Sequence, residues 1–256
     1  LENGEFELHY QPQLNLKSGA LSGIEALVRW RTPDGDLIPP GQFIATAEES
    51  GLIVELGEWI LAEACRQMQC WLAERRFAPN VLVSVNISAK QFDKGNLMKQ
   101  LDRALDDTGL SPHNLELEIT ESTMMRSADR TGRVLQALRS RGVKVAIDDF
   151  GTGYSSLSHL KLLPLTKLKI DKSFVADLPD DPNVTSITRA IILLGQSLSL
   201  ETLAEGVETS EQLAFLQREG CDIAQGFLFS KPLNVAQFED YLSDAIAGGV
   251  RPRRVS

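Results

Sequence analysis

Cysteine is scarce in this sequence. Its 256 residues include only Cys65, Cys70 and Cys221, and no two of these form a CxxC pair. Such an odd and sparse set excludes a disulfide framework and a zinc ribbon, and it favours reduced thiols in a cytoplasmic protein.

Long apolar runs and an excess of positive charge are missing too. No stretch approaches the roughly 20 apolar residues that a membrane-spanning helix requires, and nothing resembles a signal peptide. The 26 Lys and Arg residues are outnumbered by 35 Asp and Glu, for a formal net charge of −9. We therefore predict a cytoplasmic domain with no membrane segment and no nucleic-acid polymer as partner, in a full-length protein that other domains could anchor to a membrane. A nucleotide substrate stays compatible, because a divalent metal ion can supply positive charge.

Phosphate-binding fingerprints are absent, whereas a regular alternation of elements is present. No GxGxxG follows a first strand, and no glycine-rich loop ends in Gly-Lys-Ser/Thr. A predicted hairpin over 6–31 precedes six units of a strand and then a helix. This order, over about 250 residues, favours a closed (β/α) barrel over an open doubly wound sheet. We predict one barrel domain over residues 1–247, excised from a longer multidomain protein, and a flexible tail over 248–256.

Polar residues stand at the carboxyl end of six successive predicted strands. They are Asn86, Glu118, the pair Asp148 and Asp149, Lys169, Glu205 and Gln225. In a barrel these ends converge on the rim where active sites lie. One such residue alone is more often a helix cap or a satisfied core group, but six in succession are poorly explained in that way. Buried carboxylates at this density require a compensating cation.

The ligand types indicate which cation this is. Together with Glu25 the strand ends offer oxygen ligands, while His9, His113 and His159 all lie away from them. Oxygen ligands favour Mg²⁺ or Mn²⁺ over Zn²⁺, and two such ions suit in-line attack of water on a phosphate ester. Lys169 can form a structural salt bridge and can also orient that water or stabilise developing charge, and Glu205 is the candidate general base.

Two further stretches leave alternatives open. In IEALVRW, Glu25 and Arg29 share a strand face, so that they either form a salt bridge or bind a metal and a phosphate respectively. In FGTGYSSL, Gly151 and Gly153 permit close backbone approach to a ligand, before a short helix predicted at 155–162. Glu121 either anchors this loop or is an acid favoured by the dipole of its helix.

The pattern also leaves one possible pair undecided. Lys167 and Glu116 share strand parity with Lys169 and Glu118, so both can face inward. Parity alone does not establish whether they meet.

Several motifs, taken in order, resemble the EAL-domain family of bacterial cyclic di-GMP-specific phosphodiesterases. They are EALVRW, SVNISAKQF, LELEITES, IDDFGTGYSSL, LKIDKSF, AEGVET and AQGFLFSKP, and they run from about Phe6 to Tyr241. The resemblance implies a modified (β/α)8 TIM-like barrel with one antiparallel strand at its start. It also implies hydrolysis of one phosphodiester bond of cyclic di-GMP to linear pGpG with two ions of Mg²⁺ or Mn²⁺. Ca²⁺, whose coordination is longer and looser, is expected to inhibit.

The resemblance also implies residue roles, motif by motif. The matching metal ligands are Glu25, Asn86, Glu118 and Asp148 for the first ion and Asp149 for the second. The matching catalytic residues are Lys169, which positions water, Glu205, the general base, and Gln225, a polar group of the centre. The matching substrate contacts are Gln11, Leu27, Arg29 and again Asp149. Four further residues match family positions that support the loop after Asp149: Glu121, Glu208, Gly151 and Gly153.

No catalytic position departs from the family pattern, which favours an active enzyme. The alternatives are a catalytically silent cyclic di-GMP receptor and a regulatory scaffold whose activity depends on a partner. The resemblance further implies a homodimer formed near the glycine-rich loop. It also implies an upstream diguanylate-cyclase-like or sensory domain in the full-length protein.

Overall fold

Nine strands form one hydrogen-bonded sheet, and eight of them close into a barrel. This computed structural model describes residues 1, 3–93, 96–125, 128–153 and 160–248. The strands are β1 (Phe6–Asn15), β2 (Leu21–Arg31), β3 (Leu37–Ile38), β4 (Leu82–Ile87), β5 (Leu115–Thr120), β6 (Lys144–Phe150), β7 (Lys167–Ile170), β8 (Glu201–Ala204) and β9 (Ile223–Ala224).

Strand β1 closes the sheet into a barrel. It pairs antiparallel with β2 on one side and with β9 on the other. Strand β2 pairs parallel with β4, and each strand from β4 to β9 pairs parallel with the next. Strand β3 pairs antiparallel with β2 outside the barrel. The predicted modified (β/α)8 barrel with one antiparallel strand at its start is therefore confirmed.

Helices cover the outside of this barrel. They are α1 (Ile44–Ser50), α2 (Ile53–Ala73), α3 (Ala89–Asp93), α4 (Leu97–Thr108), α5 (Glu121–Met125), α6 (Ala128–Arg141), α7 (Pro182–Ser197), α8 (Ser210–Glu219) and α9 (Val235–Gly248). Tyr10 of β1 packs edge-on against Trp71 of α2, with ring centroids 4.8 Å apart, and Phe238 of α9 packs against the same Trp71 at 5.3 Å. Aromatic packing thus covers the antiparallel strand on its outer face.

The sequence of β5 explains how the barrel interior becomes polar. Leu115, Leu117 and Ile119 are fully buried against the helices, because alternate residues of a strand point to opposite faces. Glu116 and Glu118 therefore point to the interior, where they meet lysines of β7. One strand thus contributes both to the apolar layer and to the polar centre.

Two predicted segments lie wholly or mostly outside the described residues. They are the tail over 248–256, of which only Gly248 is described, as the end of α9, and the short helix at 155–162. Among the helices that the structure does describe, none combines the length and the apolar character needed to cross a membrane.

Candidate active site

Strand register brings polar side chains of neighbouring strands to one level of the barrel. Gln11 of β1 lies beside Glu25 of β2, and Asn86 of β4 lies beside Glu118 of β5. The remaining predicted residues of the rim lie at or just beyond the carboxyl ends of β6 to β9, where a parallel barrel places its active site.

Lys169 lies at the centre of this group. Its ammonium nitrogen is 2.5 Å from Glu118 Oε2 and 2.7 Å from Glu205 Oε1. It is also 3.1 Å from Asp148 Oδ1 and 3.7 Å from Glu25 Oε1. With 1% of its side chain exposed, Lys169 joins carboxylates from four different strands or strand ends.

The charge of one lysine does not balance these acids. Burial acts to lower the pKa of Lys169, but Asp148 and Glu118 reverse the effect and hold it well above its usual value. Burial raises the pKa of Glu118 well above its usual range, and Lys169 offsets only part of that rise. For Glu25 burial also acts to raise the pKa, but Lys169 and two amide hydrogen bonds hold it below its usual value. Burial thus favours the neutral form of Glu118, whereas Lys169 favours its ionised form.

Glu205, Asp148 and Asp149 form the most compact acidic group at the mouth. Each offers an oxygen that lies within 4.8 Å of the others. Burial raises the pKa of Glu205 to about 8, against the opposing effect of Lys169. Burial and the Asp148 charge also raise the pKa of Asp149. The two aspartates and Glu205 thus form one acidic cluster.

The backbone at Asp149 is left-handed, with φ of 52°. Asp adopts this region more readily than bulky residues do, although it is still strained. Its N–H donates to Asp148 Oδ1 at 3.0 Å, and its carbonyl accepts from the Thr152 hydroxyl at 2.8 Å. Local hydrogen bonds hold the turn that follows β6.

Glu25 is held by amides and not by the arginine on its own strand. Asn86 Nδ2 donates to its Oε1 at 2.8 Å, and Gln225 Nε2 donates to its Oε2 at 2.5 Å. The guanidinium of half-buried Arg29 instead donates to the Val28 carbonyl at 2.8 Å. Within the described chain no salt bridge joins Glu25 to Arg29, so that alternative is not observed.

The three predicted substrate contacts of the first two strands differ in their surroundings. Gln11 has both polar atoms engaged: it accepts from Gln225 at 2.9 Å and donates to the Ser230 carbonyl at 2.9 Å. Leu27 and Arg29 are half-buried beyond Glu25 on the same face of β2. Their contact with substrate stays a prediction.

The loop after β6 is tied to the start of α5. Glu121 is 2% exposed, and its Oε2 accepts from the Gly151 N–H at 3.0 Å. It is also the first residue of α5. Glu121 therefore both contacts the loop and lies at the start of a helix. A Cβ on Gly153 would lie 2.8 Å from Glu121 Oε1, and Gly151 has a φ of 99°. A larger residue at Gly153 would therefore displace the loop from Glu121, and one at Gly151 would be strained at this φ and would press on Phe174.

Glu208 has no contact with the other predicted site residues among the hydrogen bonds and ion pairs of the described chain. It is exposed, and its backbone N–H donates to Gln212 Oε1 at 2.7 Å, next to the capping box of α8. Its support of the site stays a prediction.

The described residues fit a hard divalent cation. Glu118 Oε1 is buried and has no hydrogen-bond partner in the part of the chain that the structure describes. The surrounding donors are carboxylate and amide oxygens, which suit Mg²⁺ and Mn²⁺. The surplus of carboxylate charge around Lys169 supplies the electrostatic reason for a cation to bind.

A second polar layer, formed by Lys167, Glu116 and Gln13, lies below the layer that contains Lys169. The sequence indicated only part of this second layer. Lys167 and Glu116 do meet, with Lys167 Nζ 2.5 Å from Glu116 Oε1. Buried Gln13 joins the layer to the site by donating to Gln225 Oε1 at 3.0 Å. The one signal for Gln13 was that it shares strand parity with Gln11.

Fold and site together define a class of protein. It is a (β/α) barrel with a cluster of acidic oxygen donors at the carboxyl ends of its strands. A model of the EAL domain family matches residues 1–232. The chain belongs to the EAL domain family, as its motifs predicted.

Relatives from several bacteria agree with this assignment. The chain is 48% identical over 237 residues to the bifunctional diguanylate cyclase/cyclic di-GMP phosphodiesterase MucR of Pseudomonas aeruginosa. The matched region is 93% of this chain and 34% of that protein. The chain is 46% identical over 242 residues to the signaling protein YkoW of Bacillus subtilis, covering 94% and 30% respectively. It thus spans about a third of the length of these curated relatives.

A solved structure supports the fold directly. The PaMucR phosphodiesterase in complex with c-di-GMP matches with a TM-score of 0.89 and 47% identity, over 93% of this chain and 95% of that one.

Proposed function

We propose that this chain hydrolyses one phosphodiester bond of cyclic di-GMP and releases linear pGpG. The observation that carries the proposal is the complete set of acids and amides gathered around Lys169. It occurs in a family with relatives that are named for cyclic di-GMP hydrolysis.

The oxygen donors of the site divide between two ions in this proposal. Glu25, Asn86, Glu118 and Asp148 hold one ion, and Asp149 serves the second and also faces the substrate. Bound Mg²⁺ or Mn²⁺ supplies a Lewis acid that lowers the pKa of water and of nearby carboxyls and offsets phosphate charge.

The residues of this chain orient the attacking water and take its proton. Lys169 orients the water, and the Glu205 carboxylate accepts the proton as the oxygen attacks phosphorus. The bond from phosphorus to the 3′ oxygen breaks, and the leaving oxygen takes up a proton to become a hydroxyl. Arg29 contacts a phosphate and Leu27 a guanine, while Gln11 and Gln225 line the same face.

A direct assay tests the proposal. The purified chain is incubated with cyclic di-GMP and Mg²⁺ or Mn²⁺, and pGpG is separated by chromatography. We expect turnover by wild type, and at least a hundredfold slower turnover by Glu25→Ala and Glu205→Gln, as for loss of a key electrostatic or proton-transfer group. Glu201→Ala, at an exposed position of β8, is the matched control and should retain the wild-type rate.

Two further results separate the alternatives. Tight binding of cyclic di-GMP by wild type, without pGpG in either metal, would identify a silent receptor instead of an enzyme. Turnover that appears only in a longer protein would identify dependence on an upstream diguanylate-cyclase-like or sensory domain. Ca²⁺ in place of Mg²⁺ should suppress turnover while binding persists.

The homodimer belongs to the same proposal. The predicted contact is near the glycine-rich loop, of which residues 154–159 lie outside the described residues. Sedimentation of the purified chain at several concentrations tests it.

A further inference from the structure

We propose that Lys167 is a positioning residue that fixes the Glu25 carboxylate through the amides of Gln13 and Gln225. The inference rests on the proposed function in one respect, because that function gives Glu25 its role as a metal ligand. Lys167 itself contacts none of the proposed metal ligands directly in the described contacts.

The relay starts from a buried ion pair. Lys167 is 1% exposed and Glu116 is 0% exposed, and the Ser84 hydroxyl donates to Glu116 Oε1 at 2.9 Å. A lysine is rarely buried without a partner, so the ion pair with Glu116 holds Lys167 in place one layer below Lys169.

The next step is set by amide chemistry. Lys167 Nζ lies 3.5 Å from Gln13 Oε1. An ammonium group can only donate hydrogen bonds, whereas a glutamine amide has one accepting and one donating end. Lys167 therefore selects the orientation in which Gln13 turns its oxygen toward the lysine. The amide nitrogen of Gln13 then faces Gln225, and it donates to Gln225 Oε1 at 3.0 Å.

The same rule carries the orientation to Glu25. Because Gln225 accepts through its oxygen, its Nε2 is turned to donate to Gln11 Oε1 at 2.9 Å and to Glu25 Oε2 at 2.5 Å. Reversing Gln225 would place its amide oxygen against Glu25 Oε2. Reversing Gln13 would place its amide oxygen against Gln225 Oε1 and its NH₂ group against the Lys167 ammonium. Because Lys167 can only donate, it thus determines that the amide NH₂ group of Gln225, and not its oxygen, faces Glu25.

The backbone makes room for this relay at one position. Gly23 is the cross-strand partner of Gln13, and a Cβ on it would lie 2.8 Å from Gln13 Oε1. The only residue type that leaves this oxygen undisturbed is therefore glycine. Its presence allows the Gln13 amide to lie between Lys167 and Gln225.

Side-chain NMR tests the relay without metal or substrate. The NH₂ resonances of Gln13 and Gln225 are assigned by substitution in the ¹⁵N-labelled chain. Lys167→Met should shift both sets, because both amides lose their imposed orientation. Lys99→Met, on the exposed face of α4, should shift neither. Unchanged Gln225 resonances in Lys167→Met would overturn the proposal whether or not the chain is an enzyme.

A double variant separates orientation from charge. Lys167→Met leaves Glu116 unpaired in the core and can fail to fold, so Glu116→Gln/Lys167→Met carries the same test without a buried charge. Mn²⁺ affinity, followed by the EPR signal of the free ion, should fall about tenfold in the double variant, as for loss of an outer-shell partner. Wild-type affinity in the folded double variant would overturn the relay. Absence of pGpG from wild type would instead count against the proposed function alone.

Discussion

Binding of Mg²⁺ to this chain should release protons, and the release should decrease as the pH rises. The structural reason is the acidic cluster around Lys169. Burial raises the pKa of Glu205 to about 8 and that of Glu118 well above its usual range. A divalent cation favours the ionised form of neighbouring carboxyls, and ligands must be deprotonated to bind it.

The size of the effect follows from Glu205. A carboxyl with a pKa of about 8 is roughly 90% protonated at pH 7 and roughly 10% protonated at pH 9. Loss of this proton on binding gives about 0.9 proton per chain at pH 7 and about 0.1 at pH 9. Glu118, whose pKa is also raised, is a further source of released protons.

Isothermal titration calorimetry measures this release. The apparent heat of Mg²⁺ binding is compared in two buffers that differ in ionisation enthalpy, and the difference gives the protons transferred. Glu205→Gln should release about one proton fewer at pH 7, whereas Glu201→Gln, at the exposed start of β8, should match wild type. Binding with no buffer dependence at pH 7, or a release that grows toward pH 9, would refute the reasoning.

Three further predictions concern stability, thiol reactivity and the loop. Because the pKa of Glu205 is raised, the folded state holds more protons than the unfolded state between about pH 4.5 and 8. The stability of the metal-free protein, measured by thermal melts, should therefore fall as the pH rises through this window, by at most about 1.4 kcal/mol per pH unit for this carboxyl. Burial raises the pKa of Cys65 to about 12 and of Cys221 to about 11, so a disulfide reagent at pH 8 should modify half-buried Cys70 first and the other two only on unfolding. Glu121→Ala removes the acceptor of the loop N–H and should lower kcat about tenfold, as for other residues that support a site; an unchanged rate would mean that the loop is held by other contacts.

Alternation in the sequence was enough to predict which residues face the centre of the barrel. In LELEIT the leucines and isoleucine form one face and the glutamates the other. The closed barrel with its antiparallel first strand followed from the order of elements and from the family resemblance. The rim residues were predicted because the ends of parallel strands meet.

Contacts across the barrel were not predictable in the same way. They depend on the stagger between strands, which the sequence of one strand does not contain. Gln13 reaches Gln225, 212 positions away in the chain, because β1 runs antiparallel and joins β9 to β2. Parity allowed Lys167 and Glu116 to face inward, but only the register between β5, β6 and β7 brings them together.

The balance of charge explains why this centre is both costly and useful. Lys169 meets four carboxylates within 3.7 Å, and Asp149 adds a fifth acid that groups with two of them. Buried carboxylates without full compensation reduce stability, and here the cost is expressed as raised pKa values at Glu118 and Glu205. In the lower layer the charge of Glu116 is balanced by Lys167. The uncompensated charge is thus confined to the mouth of the barrel, where a divalent cation can reach it.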